Sequence, residues 1–423
     1  MQSLWLSFTF AAALLLTVML KFWLATRQMR HVAAHRAAVP AAFAETVSLA
    51  AHQKAADYTL VRSRFGLVTL AFGTAVLLVW TLLGGLDALN AAVRDAVQPR
   101  WGAMAYQLAL LSAFVLIGSL LDAPLELYNT FRIEQRFGFN RTTLRLVLID
   151  AAKGLVVGAL IGLPMAALVL WIMASAGAWW WLWAWAAWVA FQLLILILYP
   201  TVIAPLFNKF EPLPDESLKQ RVQALMTRCG FAAKGLFVMD GSRRSAHSNA
   251  YFTGLGAAKR VVFFDTLLKR LTPGEVEAVL AHELGHFKLR HVPKRMLTIF
   301  AMSLAALALL GWLTQQQWFY IGLGVTPNLG APNDALALLL FMLALPPFGF
   351  LLVPLASRVS RRHEFEADAY ACAQASGRDL ANALLKLHED NAGTLTPDPL
   401  YVTFYYSHPP ASERLAALKM GPA

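Results

Sequence analysis

Six stretches of this chain carry no charged residue over close to the length of a membrane span: Ser3–Leu20, Leu67–Leu86, Trp101–Leu121, Gly154–Phe207, Met296–Trp312 and Ala335–Ser357. About 20 mostly apolar residues take a helix across the hydrocarbon layer. The fourth stretch is too long for one crossing, and Ala174-Ser175-Ala176-Gly177 divides it into Gly154–Met173 and Trp179–Tyr199. Seven spans follow. Composition agrees: 58% of residues are hydrophobic and 14% charged, against about 25% charged in a soluble domain. That balance excludes disorder and argues against a single soluble core.

Lys and Arg outnumber Asp and Glu by 36 to 25, a formal charge of +11. Such an excess accompanies either nucleic-acid binding or loops held at the cytoplasmic face of a membrane. Here it sorts by loop. The segment after span one holds Arg27, Arg30, Arg36, Lys54, Arg62 and Arg64, and the one after span three holds Arg132, Arg136, Arg141, Arg145 and Lys153. After span two there are only Arg94 and Arg100, and Leu313–Asp334 has no Lys or Arg at all. The basic loops therefore read as cytoplasmic, together with the long segment between spans five and six and the tail after span seven. No single basic cluster with interleaved aromatics exists, so a nucleic-acid partner is excluded. The first stretch lacks a basic leader and is followed by positive charge, so it reads as a span and not as a cleaved signal peptide. Cys229 and Cys372 make no CxxC pair and are expected to be free thiols.

The chain divides into spans one to five (1–207), a polar segment (208–295), spans six and seven (296–357) and a C-terminal segment (358–423). Within the polar segment, Leu218–Cys229 reads as a helix. Gly235–Asp240, His247–Thr253 and Arg260–Asp265 read as short strands, the last two a hairpin joined through Gly254-Leu255-Gly256. Thr272-Pro273-Gly274-Glu275 then supplies an N-cap, a proline at the first helical position and the glutamate of a capping box.

The helix that this cap starts contains His282-Glu283-Leu284-Gly285-His286. Two histidines four apart share a helical face and can bind one Zn²⁺, with the intervening Glu283 placed to take a proton from the attacking water. A chance occurrence in a chain this long is on the order of 1%. A catalytic zinc needs a third protein ligand. The extended motif with a third histidine is absent, since Leu289 and Val292 stand where its Gly and His would be. The next acidic helix, Arg361–Asp368, offers Glu364 and Asp368 on one face, whereas Glu366 points away from that face. Glu364 is expected to bind the zinc, and Asp368 to accept the free N–H of a ligand imidazole.

At this point the chain resembles the type I CAAX prenyl endopeptidases, integral-membrane zinc metalloproteases of the gluzincin kind, and a prokaryotic-type member is expected. The likeness covers most of the chain from about Pro124 onward. It rests on Tyr128–Glu134, Phe137-Gly138-Phe139-Asn140, Ile203–Phe210, His247–Phe252, the HELGH core, Arg361–Asp368, Ser407-His408-Pro409-Pro410 and Glu413-Arg414-Leu415. The resemblance implies an α-helical membrane protein whose seven helices form a barrel around an intramembrane chamber, with His282, His286 and Glu364 as zinc ligands and Glu283 as the base. It further implies that Asn249 and His408 line the zinc site to hold the substrate backbone or the oxyanion, and that the His247–Thr253 strand is the edge to which an extended peptide adds. The implied substrate is a peptide or protein, prenylated in the family's eukaryotic members. In a bacterium, quality control of membrane proteins is the nearest alternative. A chamber that binds lipid or peptide without catalysis is the alternative of another class, and the complete set of base and ligands argues against it. The membrane would be the cell membrane in a bacterium or the endoplasmic reticulum in a eukaryote, with the active site facing the cytoplasm.

Overall fold

The structure is a computed structural model and describes residues 1–231, 235–253 and 260–420. Seven of its helical stretches are long and apolar enough to cross a membrane: Gln2–Ala34, Leu49–Trp80, Gly85–Phe137, Leu144–Ser175, Gly177–Phe207, His291–Leu313 and Asp334–Gln374. Each contains or overlaps one of the seven charge-free stretches, and most run past it. The extensions are polar helical turns, and the last of them carries Glu364 and Asp368.

Breaks within the spans have local causes. Gly102 adopts φ 81, ψ 177, a conformation open essentially to glycine alone, so Gly85–Trp101 forms a separate arm before the third span. Leu86, expected at the end of span two, belongs to this arm, because the second helix stops at Trp80. The division expected at Ala174–Gly177 is present: the fourth helix ends at Ser175 and Gly177 has φ 59. Pro200 and Pro205 sit in and after a wide turn, Tyr199–Ile203, and Pro346-Pro347 precede a tight turn at Phe350–Leu352.

The spans do not pack into a solid bundle. Among residues 59–79, 111–128, 147–169, 185–199 and 292–309 not one is buried. Packed solid, each helix would bury an apolar stripe. In these five spans burial is instead concentrated at the two ends. The first and last spans pack on each other along their middle, where Leu14, Thr17 and Pro347 are buried and Thr17 Oγ1 donates to the Pro347 carbonyl at 2.8 Å. One core joins Trp80, Leu86, Tyr106, Leu110, Leu170, Trp180, Leu310, Phe319 and Leu336 where the short connections lie. A second lies at the opposite end, beneath the polar segment. Between the two caps the helices surround a hollow, as the expected barrel and chamber require.

The second core explains the polar segment. Leu218, Val222, Leu225 and Met226 line one face of helix Glu216–Arg228 and pack on Val276, Val279, Leu280 and Leu284 of the HELGH helix and on Val261 and Phe263. The strands are β1 (Phe210–Pro212), β2 (Leu236–Met239), β3 (Ala250–Thr253) and β4 (Arg260–Phe264), in spatial order β1-β2-β4-β3. β2 and β4 are parallel, while β1–β2 and β3–β4 are antiparallel, with Ala250 opposite Phe263 and Thr253 opposite Arg260. β3 is thus an edge strand, as expected, although it begins at Ala250 and not at His247. β1 was not anticipated, and the turn expected at Gly254-Leu255-Gly256 lies outside the described residues.

Gly102→Ala should lower stability by about 1–3 kcal/mol, since nothing lies within 4 Å of the added methyl and only the backbone conformation is penalised. Thermal unfolding in detergent should show a lower midpoint with metal content unchanged.

Candidate metal centre

The HELGH helix runs Pro273–Lys288 and begins with the expected capping box: Thr272 Oγ1 accepts from the Glu275 amide at 3.4 Å, and Glu275 Oε2 accepts from the Thr272 amide at 2.8 Å. Lys386 also donates to Glu275 Oε2 at 2.8 Å, tying this helix to Gly377–Asp390. Against it lies the helix Val353–Gln374. The two cross so closely that a Cβ on Gly285 would stand 3.1 Å from both Cα and O of Ala367. That approach brings the two motifs together.

His282 and His286 present their Nε2 atoms 3.2 Å apart. Glu364 completes the triangle, with Oε2 3.4 Å from His282 Nε2 and Oε1 3.3 Å from His286 Nε2. Glu364 is 4% exposed, and its Oε2 is buried without a hydrogen-bond partner. An orphaned carboxylate oxygen facing two imidazole lone pairs is the donor set of a metal. The other ring nitrogens are engaged. His282 Nδ1 donates to Asp368 Oδ1 at 2.8 Å, and Arg414 clamps the same carboxylate from Nε (2.8 Å) and Nη2 (2.6 Å). His286 Nδ1 meets His291 Nδ1 at 3.0 Å, and His291 Nε2 donates to Glu366 Oε2 at 3.0 Å, with His363 stacked on His291 at 4.0 Å. These partners set both tautomers so that each Nε2 keeps its lone pair for the metal.

Glu283 lines the same cavity, about 370 Å³, together with Asn249, Ala250, His408 and Arg414. Burial pushes the Glu283 carboxyl above the usual carboxylate range; the neighbouring imidazoles oppose that shift and Glu364 adds to it. His408 Nε2 lies 3.4 Å from Glu364 Oε1, and Ser407 Oγ contacts its Nδ1 at 3.0 Å. Arg361 holds the segment before His408 by donating to the carbonyls of Val402 (3.0 Å) and Tyr406 (2.9 Å). Asn249 is exposed at the start of β3, its Oδ1 accepting from the Ala250 amide at 2.8 Å. The structure therefore brings His282, Glu283, Glu364, Asn249 and His408 around one cavity, with His286 and Asp368 against its His282 wall.

The clamp made by Arg414, quoted from the sequence only within Glu413-Arg414-Leu415, and the His291–Glu366 pair were not read from the sequence. Glu366 does point away from the Glu364 face, as its helical phase requires, but it serves His286 through His291. Glu134 is a third such residue: Tyr58 donates to its Oε1 at 2.7 Å, and its Oε2 lies 3.6 Å from His247 Nε2, while Phe139 stacks on the His247 ring at 4.5 Å. These contacts brace the approach to β3 from the ends of the second and third spans.

Two family descriptions match the chain: "CAAX prenyl protease N-terminal, five membrane helices" over residues 28–209, and "Peptidase family M48" over 212–420. The CAAX prenyl protease 1 homolog of Arabidopsis thaliana is 34% identical over 390 residues, covering 90% of each chain. CAAX prenyl protease 1 of Saccharomyces cerevisiae is 33% identical over 384 residues, 86% of this chain and 85% of the relative. The chain belongs to peptidase family M48, among the CAAX prenyl protease 1 homologues. The crystal structure of S. mikatae Ste24p superposes with a TM-score of 0.91 at 30% identity over 98% of both chains. The protein is accordingly a multi-pass membrane metalloendopeptidase, and HELGH lies in its M48 portion.

Asp368→Asn or Arg414→Ala should weaken metal binding about 10–100-fold, because either change frees the imidazole of His282 to rotate or switch tautomer. Competition against a metal-binding dye would read the loss, and a variant with unaltered affinity would contradict the assigned role.

Proposed function

We propose that the metal is zinc, that Glu364 is its third ligand, and that the enzyme cuts near the C-terminus of prenylated proteins from the cytoplasmic side. The observation that carries the metal is the donor triangle. Bonds of about 2.0–2.1 Å in tetrahedral geometry separate the donors by about 3.3 Å. Edges of 3.2, 3.3 and 3.4 Å meet that spacing. Two imidazoles and one carboxylate leave a fourth position for water and substrate, the arrangement of a catalytic zinc rather than a structural one.

Bound there, zinc would supply Lewis acidity toward the scissile carbonyl and the attacking water. The chain's own groups do the rest. Glu283 takes the proton of the water and passes it to the departing amine, and a carboxyl whose affinity for protons is raised by burial suits both halves of that transfer. Asn249 and His408 flank the site from opposite elements, placed to donate to the oxygen that gains charge as water adds. The exposed edge of β3 offers main-chain partners to an extended peptide. Val279, Leu267, Leu380, Leu384 and Leu387 line the cavity beside Glu283 and would take an aliphatic side chain on the leaving fragment.

The lipid chain of a prenylated substrate would enter the hollow between the two cores, a reading supported by the name CAAX prenyl protease that the relatives bear. The cytoplasmic placement is supported by the basic loops, which lie at the same end as the metal centre.

Glu283→Gln should reduce turnover at least 10²-fold while metal stays bound, and chelation should abolish turnover by the unaltered enzyme. Mass spectrometry of products from farnesylated CAAX peptides and their unmodified counterparts tests the substrate: preferential release of a short C-terminal fragment from the farnesylated set is expected, and equal cutting of both would favour the quality-control reading. Cys372 is exposed on the Glu364 helix. An impermeant thiol reagent should label it in inverted membrane vesicles and spare it in intact cells.

A further inference from the structure

A second cavity, of about 700 Å³, adjoins the catalytic one and has no part in the chemistry described so far. It lies among the start of the second span helix, residues 138–141, the approach to β3, the helix Asp265–Arg270 and the end of helix Gly377–Asp390. Ser248 lines both cavities. The wall between them is fixed, because Ser248 Oγ donates to Asp390 Oδ2 at 3.4 Å and its amide to Asn391 Oδ1 at 3.3 Å.

Four cations line this second cavity: Lys54, Arg141, Lys269 and Arg270. Two are matched inside the protein. Arg270 pairs with Glu389 and Asp390, each at 3.0 Å, and Lys269 lies 3.4 Å from Asp265. Lys54 and Arg141 have no carboxylate partner among the described residues. Lys54 Nζ sits 4.9 Å over the Phe139 ring, and the Arg141 side chain is exposed. The cavity is therefore polar and carries two uncompensated positive charges, which attract an anion.

The direction of β3 says which anion. Asn249 and Ala250 line only the catalytic cavity, Ser248 lines both, and Ser245 and Ala246, earlier in the chain, line only the basic one. The basic cavity thus lies toward the N-terminal end of β3. A peptide added antiparallel to β3 runs the opposite way, so its C-terminal portion passes from the scissile bond toward Ser248 and beyond. Three residues of extended chain cover about 10 Å, the scale of a neighbouring cavity.

We propose that Lys54 and Arg141 receive the free α-carboxylate of the substrate's last residue, which makes the distance between the two cavities a ruler for the length of the released fragment. This rests on the endopeptidase reading and adds to it the group by which a chain terminus is told from an internal segment. Because both cations are solvent-exposed, each contributes modestly, and the effect falls on substrate binding.

The test uses the full chain with its metal in detergent, and two peptides identical except for a C-terminal acid or amide. The wild-type protein should favour the acid about five- to tenfold in kcat/KM, mainly through KM. Lys54→Gln with Arg141→Gln should bring that ratio close to one, the loss falling on the acid peptide, and Arg141→Lys should keep most of it. Equal cutting of acid and amide by the wild-type protein, or an unchanged ratio in the double variant, would overturn the proposal. If the wild-type protein cut neither peptide, the endopeptidase reading would fall and this inference with it.

Discussion

Asp368 is the group on which three distant parts of the chain converge. Its carboxylate accepts from the ligand His282 and is clamped from two sides by Arg414, so the HELGH helix, the Glu364 helix and the C-terminal segment meet at one buried charge, itself 2% exposed. A buried carboxylate without partners costs several kcal/mol. The interaction is thus conditional: each partner is tolerable in the interior only when the other two have arrived. Proper docking of the C-terminal segment is thereby coupled to the tautomer of His282, a proposed metal ligand. Docking also sets His408, because Arg361 on the Glu364 helix holds the segment that precedes it.

The same end of the molecule reconciles a hollow membrane region with a rigid active site. The five helices that bury nothing over their middle thirds gain little from contact with each other there, so their relative positions are set by the two caps. At the outer cap a satisfied polar cluster, in which Asn328 donates to Tyr106 Oη at 2.8 Å and Asn90 donates to Asn328 at 2.8 Å, adds direction to an otherwise apolar core. At the other cap Arg244 joins Asp150, Asn208 and the Phe207 carbonyl, at 2.6 to 3.0 Å, linking spans four and five to the loop before β3. Of the motifs by which the chain resembles its family, Ile203–Phe210 supplies Phe207 and Asn208 to this second brace.

What was legible in the sequence follows from the range over which each signal acts. Hydropathy over twenty residues gave seven spans, and helical phase over four residues gave His282, His286, Glu364 and Asp368 a common face within each helix. The capping box was legible because all its atoms lie within one turn. Long-range pairings left no such trace. Arg414 is 46 positions from Asp368 in the chain, and His291 reads as an ordinary residue just before a span. Gly102 was hidden for a different reason: inside an apolar run its hydropathy agrees with its neighbours, and only the backbone angle reveals the kink. β1 escaped because three residues ending in a proline carry almost no strand signal.

The charge balance of the site accords with the divalent ion proposed for it. With Glu283 ionised, Glu283 and Glu364 in the cavity and Asp368 behind His282 bring three negative charges to the site, and Arg414 brings a single positive one. With Nδ1 of each ligand histidine engaged by its partner and Nε2 left as a lone pair, both imidazoles are neutral. The sum is −2. A monovalent cation would leave a net charge in a poorly solvated space, and a trivalent one would favour oxygen donors over the two nitrogens offered here. A divalent ion brings the ligands and their supports to neutrality with Glu283 ionised, and the proton that Glu283 takes from water raises the sum only to +1 until it is passed on. The C-terminal segment is therefore part of the active site electrostatically as well as sterically, since without Arg414 the same ion would leave the cavity one charge short.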